Sequence, residues 1–343
     1  MIRKSNVTIK DIANKLGLST STVSRALSGN KDVHPKTREA VKELAAQLDY
    51  QPNVLAQNLK MQQTHIIGVI IPESANPFYA RVLSGLLNVA TQHGYNVITL
   101  QSMESEAAEK NNVDVLINAR VDGVIASLSV ATMNLDHFEK LKARGYPLVF
   151  FDRVPDDPDV SRIVSDNYDS AFRATEHLID LGCKRVARVN GPLHLNHCRW
   201  RLRGYKDALE KHGIPVREDY IVHTRYHAYD VELYTKKLMN MPEPPDGIFA
   251  INDKAAIEII KTLKIMKYRV PEDVAVIGFN NEFYGEFVDP PLSSIEIPAY
   301  EMGRASMQLL LDQIHEDEPI HRQVTIPSRL VIRESSQRGV VSI

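Results

Sequence analysis

The stretch TIKDIANKLGLSTSTVSRAL, at positions 8–27, constrains the chain more tightly than any other. Ile9, Ile12, Ala13 and Leu16 recur at helical spacing and form one apolar stripe. Gly17 ends that helix where the backbone must turn left-handed, which glycine does without a steric cost. Ser19 then offers a hydroxyl to cap a second helix whose inner side carries Val23 and Leu27. Thr20, Ser21, Thr22, Ser24 and Arg25 are left facing outward. Short hydroxyls beside one long bidentate donor suit the phosphates and base edges of a major groove. The pattern is a helix-turn-helix with the second helix as the reader. A helical hairpin that only packs is the alternative. The small Ala13 before Gly17, the Val23 after it and the hydroxyl-and-Arg face argue against that.

Charge is spread unevenly. Residues 1–64 hold ten Lys and Arg against five Asp and Glu, and the rest of the chain holds 31 against 38. A basic head on an acidic body suits a polyanion bound through the head alone. The 343 residues suffice for two or three domains. At 43% hydrophobic and 24% charged, the composition excludes a disordered or fibrous chain. Two cysteines, Cys183 and Cys198, supply no disulfide framework and fit a reducing cytoplasm. MIRKSNVTIK lacks a secretory apolar core, and the longest apolar run, residues 66–72, is too short for a bilayer. Neither export nor a membrane partner is expected.

After the reader helix a polar loop from Ser28 to Asp32 leads to Pro35. Pro35 opens a third helix over residues 36–48, with Ala40, Val41, Leu44 and Leu48 on one face. Lys36, Arg38 and Lys42 form its solvated or phosphate-facing side. Residues 54–60, VLAQNLK, make about two helical turns, too few to persist unless docked. Leu55 and Leu59 lie four apart, and Leu59 beside Lys60 suits a wedge in a kinked minor groove. A plain interdomain linker is the other reading.

From His65 onward the texture changes. Buried-strand runs at 66–71, 95–100, 123–126, 148–151, 185–190, 247–251 and 274–278 alternate with amphipathic stretches at 79–93, 134–144, 171–182 and 254–266. This alternation predicts two doubly wound parallel-sheet lobes covered by helices. Ligands of such sheets bind beyond the carboxyl ends of the strands. Asn76, Phe78, Tyr79, Asp152, Arg153, Asn252 and Asn280 follow strands directly, and Arg201 comes soon after the strand ending at Asn190. Amides, carboxylate, guanidinium and aromatic faces together suit a polyhydroxylated small molecule. For Asn252 and Asp166 taken singly, helix capping is at least as good a reading.

These residues also carry a likeness. The chain resembles the lactose-repressor/galactose-repressor (LacI/GalR) family of bacterial transcription regulators along nearly its whole length. The motifs are Val7-Thr8-Ile9-Lys10-Asp11-Ile12-Ala13, Gly17-Leu18-Ser19, Thr22-Val23-Ser24-Arg25 and Pro52-Asn53-x-x-Ala56-x-x-Leu59. Asn76-Pro77-Phe78, Asp152-Arg153, Arg201-x-x-Gly204-Tyr205, Asn252-Asp253 and Pro291-Leu292-Ser293-Ser294-Ile295 follow in the family's order and spacing.

The resemblance implies an α/β body of two doubly wound, periplasmic-binding-protein-like lobes behind an all-α helix-turn-helix domain. Residues 1–50 would form that domain, 51–64 a hinge helix and linker, and 65–343 the effector-binding and dimerisation body. Lobe 1 would span about 65–165 and 296–326, lobe 2 about 166–294 and 329–343, with crossings near Ser165, Ile295 and Pro327. A homodimer would place two reader helices in successive major grooves of near-palindromic, double-stranded operator DNA, in the bacterial cytoplasm at the nucleoid. Thr20, Ser21 and Arg25 would meet base edges, and Ser19, Thr22 and Ser24 phosphates, with Thr8 also in the DNA-binding set. Asn53, Ala56 and Leu59 would belong to the hinge, Leu59 as its wedge. A sugar, sugar acid or sugar phosphate would sit between the lobes on Phe78, Tyr79, Asp152, Arg201, Tyr229, Asn252 and Asn280, and change the lobe closure angle. No cofactor, metal or catalytic residue is implied.

Three positions depart from the family pattern. Asn280 stands where Asp is usual, which favours an acidic or phosphorylated sugar that Arg201 could pair with. His34 replaces the Ser that commonly caps the third helix, and Cys183 replaces a customary His. Two other function classes compete. A sugar-capturing solute-binding protein would share the body but has no use for a reader helix. An enzyme on the same scaffold would need a phosphate loop, a Gly-x-Ser-x-Gly elbow or a Gly-x-Gly-x-x-Gly turn, and none is present. His194, His197 and Cys198 form the one metal-like cluster, without a clear third and fourth partner.

Overall fold

The structure, a computed structural model, describes residues 7–50, 63–316 and 321–338. The chain divides into two units, Met1–Thr64 and His65–Ile343.

The first unit is built of α1 (Ile9–Leu16), α2 (Thr20–Leu27) and α3 (Pro35–Gln47). The Asp11 carboxylate accepts both the backbone N–H and the hydroxyl of Thr8 at 2.7 Å, which fixes the start of α1. Gly17 turns left-handed at φ +66°, and the Leu18 N–H closes back onto the Ala13 carbonyl at 3.0 Å. Ser19 Oγ accepts the Thr22 N–H at 3.1 Å and so caps α2. His34 takes the capping post of α3 through Nδ1, which accepts the Lys36 N–H at 3.3 Å.

Ile12, Ala13, Val23, Ala26, Val33, Val41 and Ala45 close a small core. Two seats differ from the expected faces. Ala26 takes the deep position and Leu27 is half-buried; on α3, Ala40 is exposed and Ala45 faces inward. Val41 and Ala45 are one turn apart, so the buried stripe runs through that pair and leaves Ala40 to one side. Arg38, expected on a solvated or phosphate-facing side, is half-buried. Its guanidinium donates to the Asn30 and Val33 carbonyls, each at 3.0 Å, and ties down the loop before α3.

The second unit holds two six-stranded sheets. One contains β1 (Ile66–Ile71), β2 (Asn96–Gln101), β3 (Gly123–Ala126), β4 (Leu148–Phe151), β5 (Ser161–Ser165) and β11 (Gln323–Ile326), in the order β11-β5-β4-β3-β1-β2. The other contains β6 (Val186–Asn190), β7 (Ile221–His223), β8 (Gly247–Ala250), β9 (Ala275–Asn280), β10 (Ser293–Glu296) and β12 (Arg329–Val331), in the order β12-β10-β9-β8-β6-β7. Among the described residues the strand pairings are parallel except β10 with β12, which is antiparallel. The covering helices are α4 (Pro77–Gln92), α5 (Glu106–Ala119), α6 (Asp136–Lys142), α7 (Asn167–Asp180), α8 (Asn196–Lys211), α9 (Ala228–Met239), α10 (Asp253–Ile265) and α11 (Ala299–His315). Strands such as β1, IIGVII, are apolar on both faces because helices cover both.

In each sheet the strand order reverses beside the first strand, β1 or β6, and this places a ligand crevice at the carboxyl ends. The chain changes sheet between β5 and β6, between β10 and β11, and between β11 and β12. Asp166 secures two of those passages. It makes no backbone cap on α7; its carboxylate accepts the Ser328 N–H at 2.9 Å and the Arg173 guanidinium at 3.0 Å.

The crossing of α4 with α11 depends on missing side chains at two positions. A Cβ on Gly85 of α4 would lie 1.9 Å from the Tyr300 carbonyl oxygen, and one on Gly303 of α11 would lie 1.9 Å from that of Val82. Bare backbones let the two helices approach closely. Among the described residues no helix is long and apolar enough to cross a membrane.

Candidate functional site

In the first unit, Thr20, Ser21 and Arg25 are exposed on α2, opposite the buried Val23 and Ala26. Thr22 and Ser24 are half-buried. Ser19 has its hydroxyl committed to the cap and shares short contacts of 2.8 Å with the Ser21 and Thr22 hydroxyls. Thr8 is likewise engaged by Asp11 at the start of α1. The face left over is a row of small hydroxyls with one guanidinium, held on a helix whose other side is locked in the core. Asn53, Ala56 and Leu59 lie outside the described residues.

In the second unit, six of the seven residues expected to meet a ligand line one cleft: Phe78, Tyr79, Asp152, Arg201, Asn252 and Asn280. Asn76, Arg153, His197, Tyr226 and Ile251 complete its wall. Local chemistry places them. The Asn76 amide oxygen accepts the Phe78 N–H at 3.0 Å and opens α4; the Asn252 amide oxygen accepts the Ala255 N–H at 2.8 Å and opens α10. Both residues are therefore caps as well as cleft walls. Asp152 and Asn280 sit at φ +57° and +106°, strained positions held by the packing around two strand ends.

Tyr229 is a correction. Its ring is 73% exposed on α9, and Tyr226, three residues earlier, joins Tyr79 in the cleft instead. The turn into α9 carries residue 226 inward before helical winding carries residue 229 out. Tyr226 OH lies 2.9 Å from His197 Nε2 and 3.3 Å from Cys198 Sγ. His194, by contrast, faces the Val130 carbonyl at 2.7 Å, so the three residues of the metal-like cluster do not converge.

Electrostatically the cleft is rich in guanidinium. Arg201 is buried; Nε donates to the Asn167 amide oxygen at 2.8 Å and Nη1 to the Ile251 carbonyl at 2.9 Å. Its guanidinium carbon lies 3.5 Å from the centre of the Phe279 ring, a cation–π contact. Arg153 Nη1 donates to both oxygens of Glu104 at 2.9 and 2.8 Å. Tyr79 donates to Asp152 Oδ2 at 3.3 Å, and burial holds the Asp152 carboxyl above its usual range although Arg153 and Arg201 pull it back. Burial, with Arg201 and Arg153 nearby, drives the His197 imidazole well below its usual value and keeps it neutral.

Beneath this wall lies Arg188, fully buried in the middle of β6. It donates to the Phe249 carbonyl and the Asn190 amide oxygen, each at 3.1 Å. Burial, then repulsion from Arg201, pulls it down to about 9. Sequence reading passed over Arg188, His197 and Tyr226 as cleft groups. An arginine inside an otherwise buried strand run was the available signal for the first. The cleft thus offers hydrogen-bond donors and acceptors, an aromatic wall and net positive charge. Burial raises the Cys198 thiol, which removes it as a nucleophile.

Comparison with known proteins fits this geometry. Residues 8–53 match the description "Bacterial regulatory proteins, lacI family", and residues 175–336 match "Periplasmic binding protein-like domain". Catabolite control protein A of Priestia megaterium is 34% identical over 335 residues, covering 97% of this chain and 100% of that one. A crystal structure of the Lac repressor dimer bound to operator and the anti-inducer ONPF superimposes with a TM-score of 0.85 at 26% identity, over 97% of this chain and 99% of that one. A complex of the transcriptional regulator CelR with cellobiose superimposes with a TM-score of 0.73 at 28% identity, over 96% and 100%.

Proposed function

This chain belongs to the lacI family of bacterial regulatory proteins, and on that premise we propose that it is a sequence-specific transcriptional repressor of carbohydrate genes, switched by a small carbohydrate-type effector bound between its two lobes. One observation carries the DNA half of this reading. α2 buries Val23 and Ala26 and presents Thr20, Ser21 and Arg25 to solvent, as a helix entering a major groove requires. Ser19, Thr22, Ser24 and Thr8 belong to this reading as phosphate contacts. Two copies in a homodimer meet two halves of a near-palindromic site. Asn53, Ala56 and Leu59 belong to this reading as hinge contacts with the minor groove.

The effector half rests on the cleft. Phe78, Tyr79, Asp152, Arg201, Asn252 and Asn280 come from both sheets, so a ligand touching all of them favours the closed arrangement of the lobes. A ligand with different affinity for open and closed bodies shifts their populations, and that coupling free energy is the regulatory output. The cytoplasm is the place of action. No catalytic step is assigned. A fluorescence titration of the purified chain against its own upstream DNA, with and without sugars, tests the whole. Specific binding that a carbohydrate changes is expected; DNA binding without sequence preference at moderate salt overturns the reading.

A further inference from the structure

Relatives of this chain are solved with neutral sugar-type ligands, yet its cleft carries an unbalanced charge. Two guanidiniums, of Arg153 and Arg201, line it, a third, of Arg188, lies buried beneath, and two carboxylates, Glu104 and Asp152, are close to them. Glu104 is spent on Arg153 in a pair 2.8 Å long. Among the described residues, neither Arg188 nor Arg201 has a carboxylate oxygen within 4.0 Å. Arg201 uses Nε and Nη1 on Asn167 and Ile251, which leaves Nη2 without a partner among the described residues. Arg188 is fully buried, bonded only to neutral oxygens, and its Nε has no partner.

We propose that the effector is a carbohydrate carrying one anionic group, a carboxylate or a phosphate, that pairs with Arg201 Nη2 above the buried charge of Arg188. This rests on the reading that the cleft takes an effector at all. An unpaired buried cation is unfavourable in proteins and is normally offset by an opposite charge. Here the wall itself supplies one carboxylate too few. His197 contributes no negative charge, and its buried Nδ1 has no partner among the described residues. Asn280 adds an amide rather than a second acid. Helices α4 and α10 both begin at the cleft, at Asn76 and Asn252, and add their N-terminal partial positive charge. Guanidinium and helix termini both favour an anion, while Asp152 is left for hydroxyl donors of the sugar.

Calorimetric titration of the full chain tests this with matched probes: D-glucose, D-glucuronate, D-gluconate and D-glucose 6-phosphate, the corresponding galactose set, and inorganic phosphate alone. At least one anionic sugar is expected to bind about tenfold or more tighter than its neutral parent. The acid and phosphate arms distinguish which anion is preferred. Arg188→Met, which keeps volume and removes charge, is expected to cut that ratio about threefold or more. If Arg188→Met does not fold, the wild-type ratio decides alone. A neutral parent that binds as tightly as its acid, a panel in which no anion binds, or a folded Arg188→Met with an unchanged ratio overturns the proposal. The two readings fail separately. A neutral sugar that alone changes operator affinity sinks the anion and keeps the effector; operator affinity that no bound sugar changes sinks the effector reading itself.

Discussion

Arg81, on the first helix of one lobe, donates through Nη2 to the carbonyl oxygen of Asn280, at the strand end of the other, across 3.3 Å. The same guanidinium reaches the Asn281 carbonyl at 3.5 Å and the Glu282 carboxylate at 3.4 Å. Asn280 also lines the ligand cleft, so a single side chain ties the two lobes together beside the place where a ligand would close them. Glu282 is almost wholly buried, and burial raises its carboxyl while Arg81 pulls it back.

Arg81→Ala is therefore expected to loosen closure. It removes the hydrogen bonds that Arg81 makes across the lobes and leaves Glu282 buried without its cation, at a cost of about 1–2 kcal/mol. Urea unfolding reads the loss. Small-angle scattering should show a larger radius of gyration without ligand; an unchanged radius contradicts the role given to this contact.

Arg25→Ala should separate recognition from folding. Arg25 is exposed and outside the core of its unit, so unfolding free energy should stay within about 0.5 kcal/mol. Operator affinity should fall by about 1–3 kcal/mol, with specificity relaxed at one position. Gel-shift titration over single-base operator variants checks both. A uniform loss across all sequences would instead make Arg25 a phosphate contact.

Asp253 predicts a pH dependence. Burial pushes its carboxyl from 3.8 up to about 7, against hydrogen bonds from Ser294 and the Glu282 N–H. Below the lower value both folded and unfolded chains are protonated, and above the upper value both are ionised. Between them the unfolded chain has lost a proton that the folded chain keeps, so this group lowers stability as pH rises. Asp253→Asn has no such proton. Measured by urea midpoints at about pH 5 and about pH 8, the variant should gain on the wild type toward the higher pH. A gain toward the lower pH would refute it.

Gly303→Ala tests the bare helix crossing. The added Cβ would meet the Val82 carbonyl oxygen at 1.9 Å and the Leu86 nitrogen at 2.9 Å, both backbone atoms that cannot swing away. A loss of about 2–3 kcal/mol is expected in thermal or urea unfolding. A variant as stable as wild type would mean that the two helices can slide apart freely.

Local pattern was enough for the elements whose causes are local. Ile12, Ala13, Gly17 and Ser19 shape the first two helices through contacts within a few residues, so their spacing reads directly as structure. The runs that became β1, β3 and β4 are apolar throughout because both sheet faces are covered, and six of the seven expected cleft residues follow from their places near strand ends.

Tertiary pairing decided the rest. Strands β5, β7, β10, β11 and β12 are short: SRIVS, SSIE and RLV carry no periodic signal, and the alternation of QVTI spans only four residues. β11 exists because Gln323 pairs with Arg162, a partner far away in sequence that no local window contains. The choice of Tyr226 over Tyr229 turned on which way one loop enters a helix. Arg188 became a determinant of the cleft only once Phe249, Asn190 and Arg201 had folded around it. Periodicity records which side of an element avoids water; which distant groups then share that dry space, and whether their charges balance, is fixed only when the chain closes on itself.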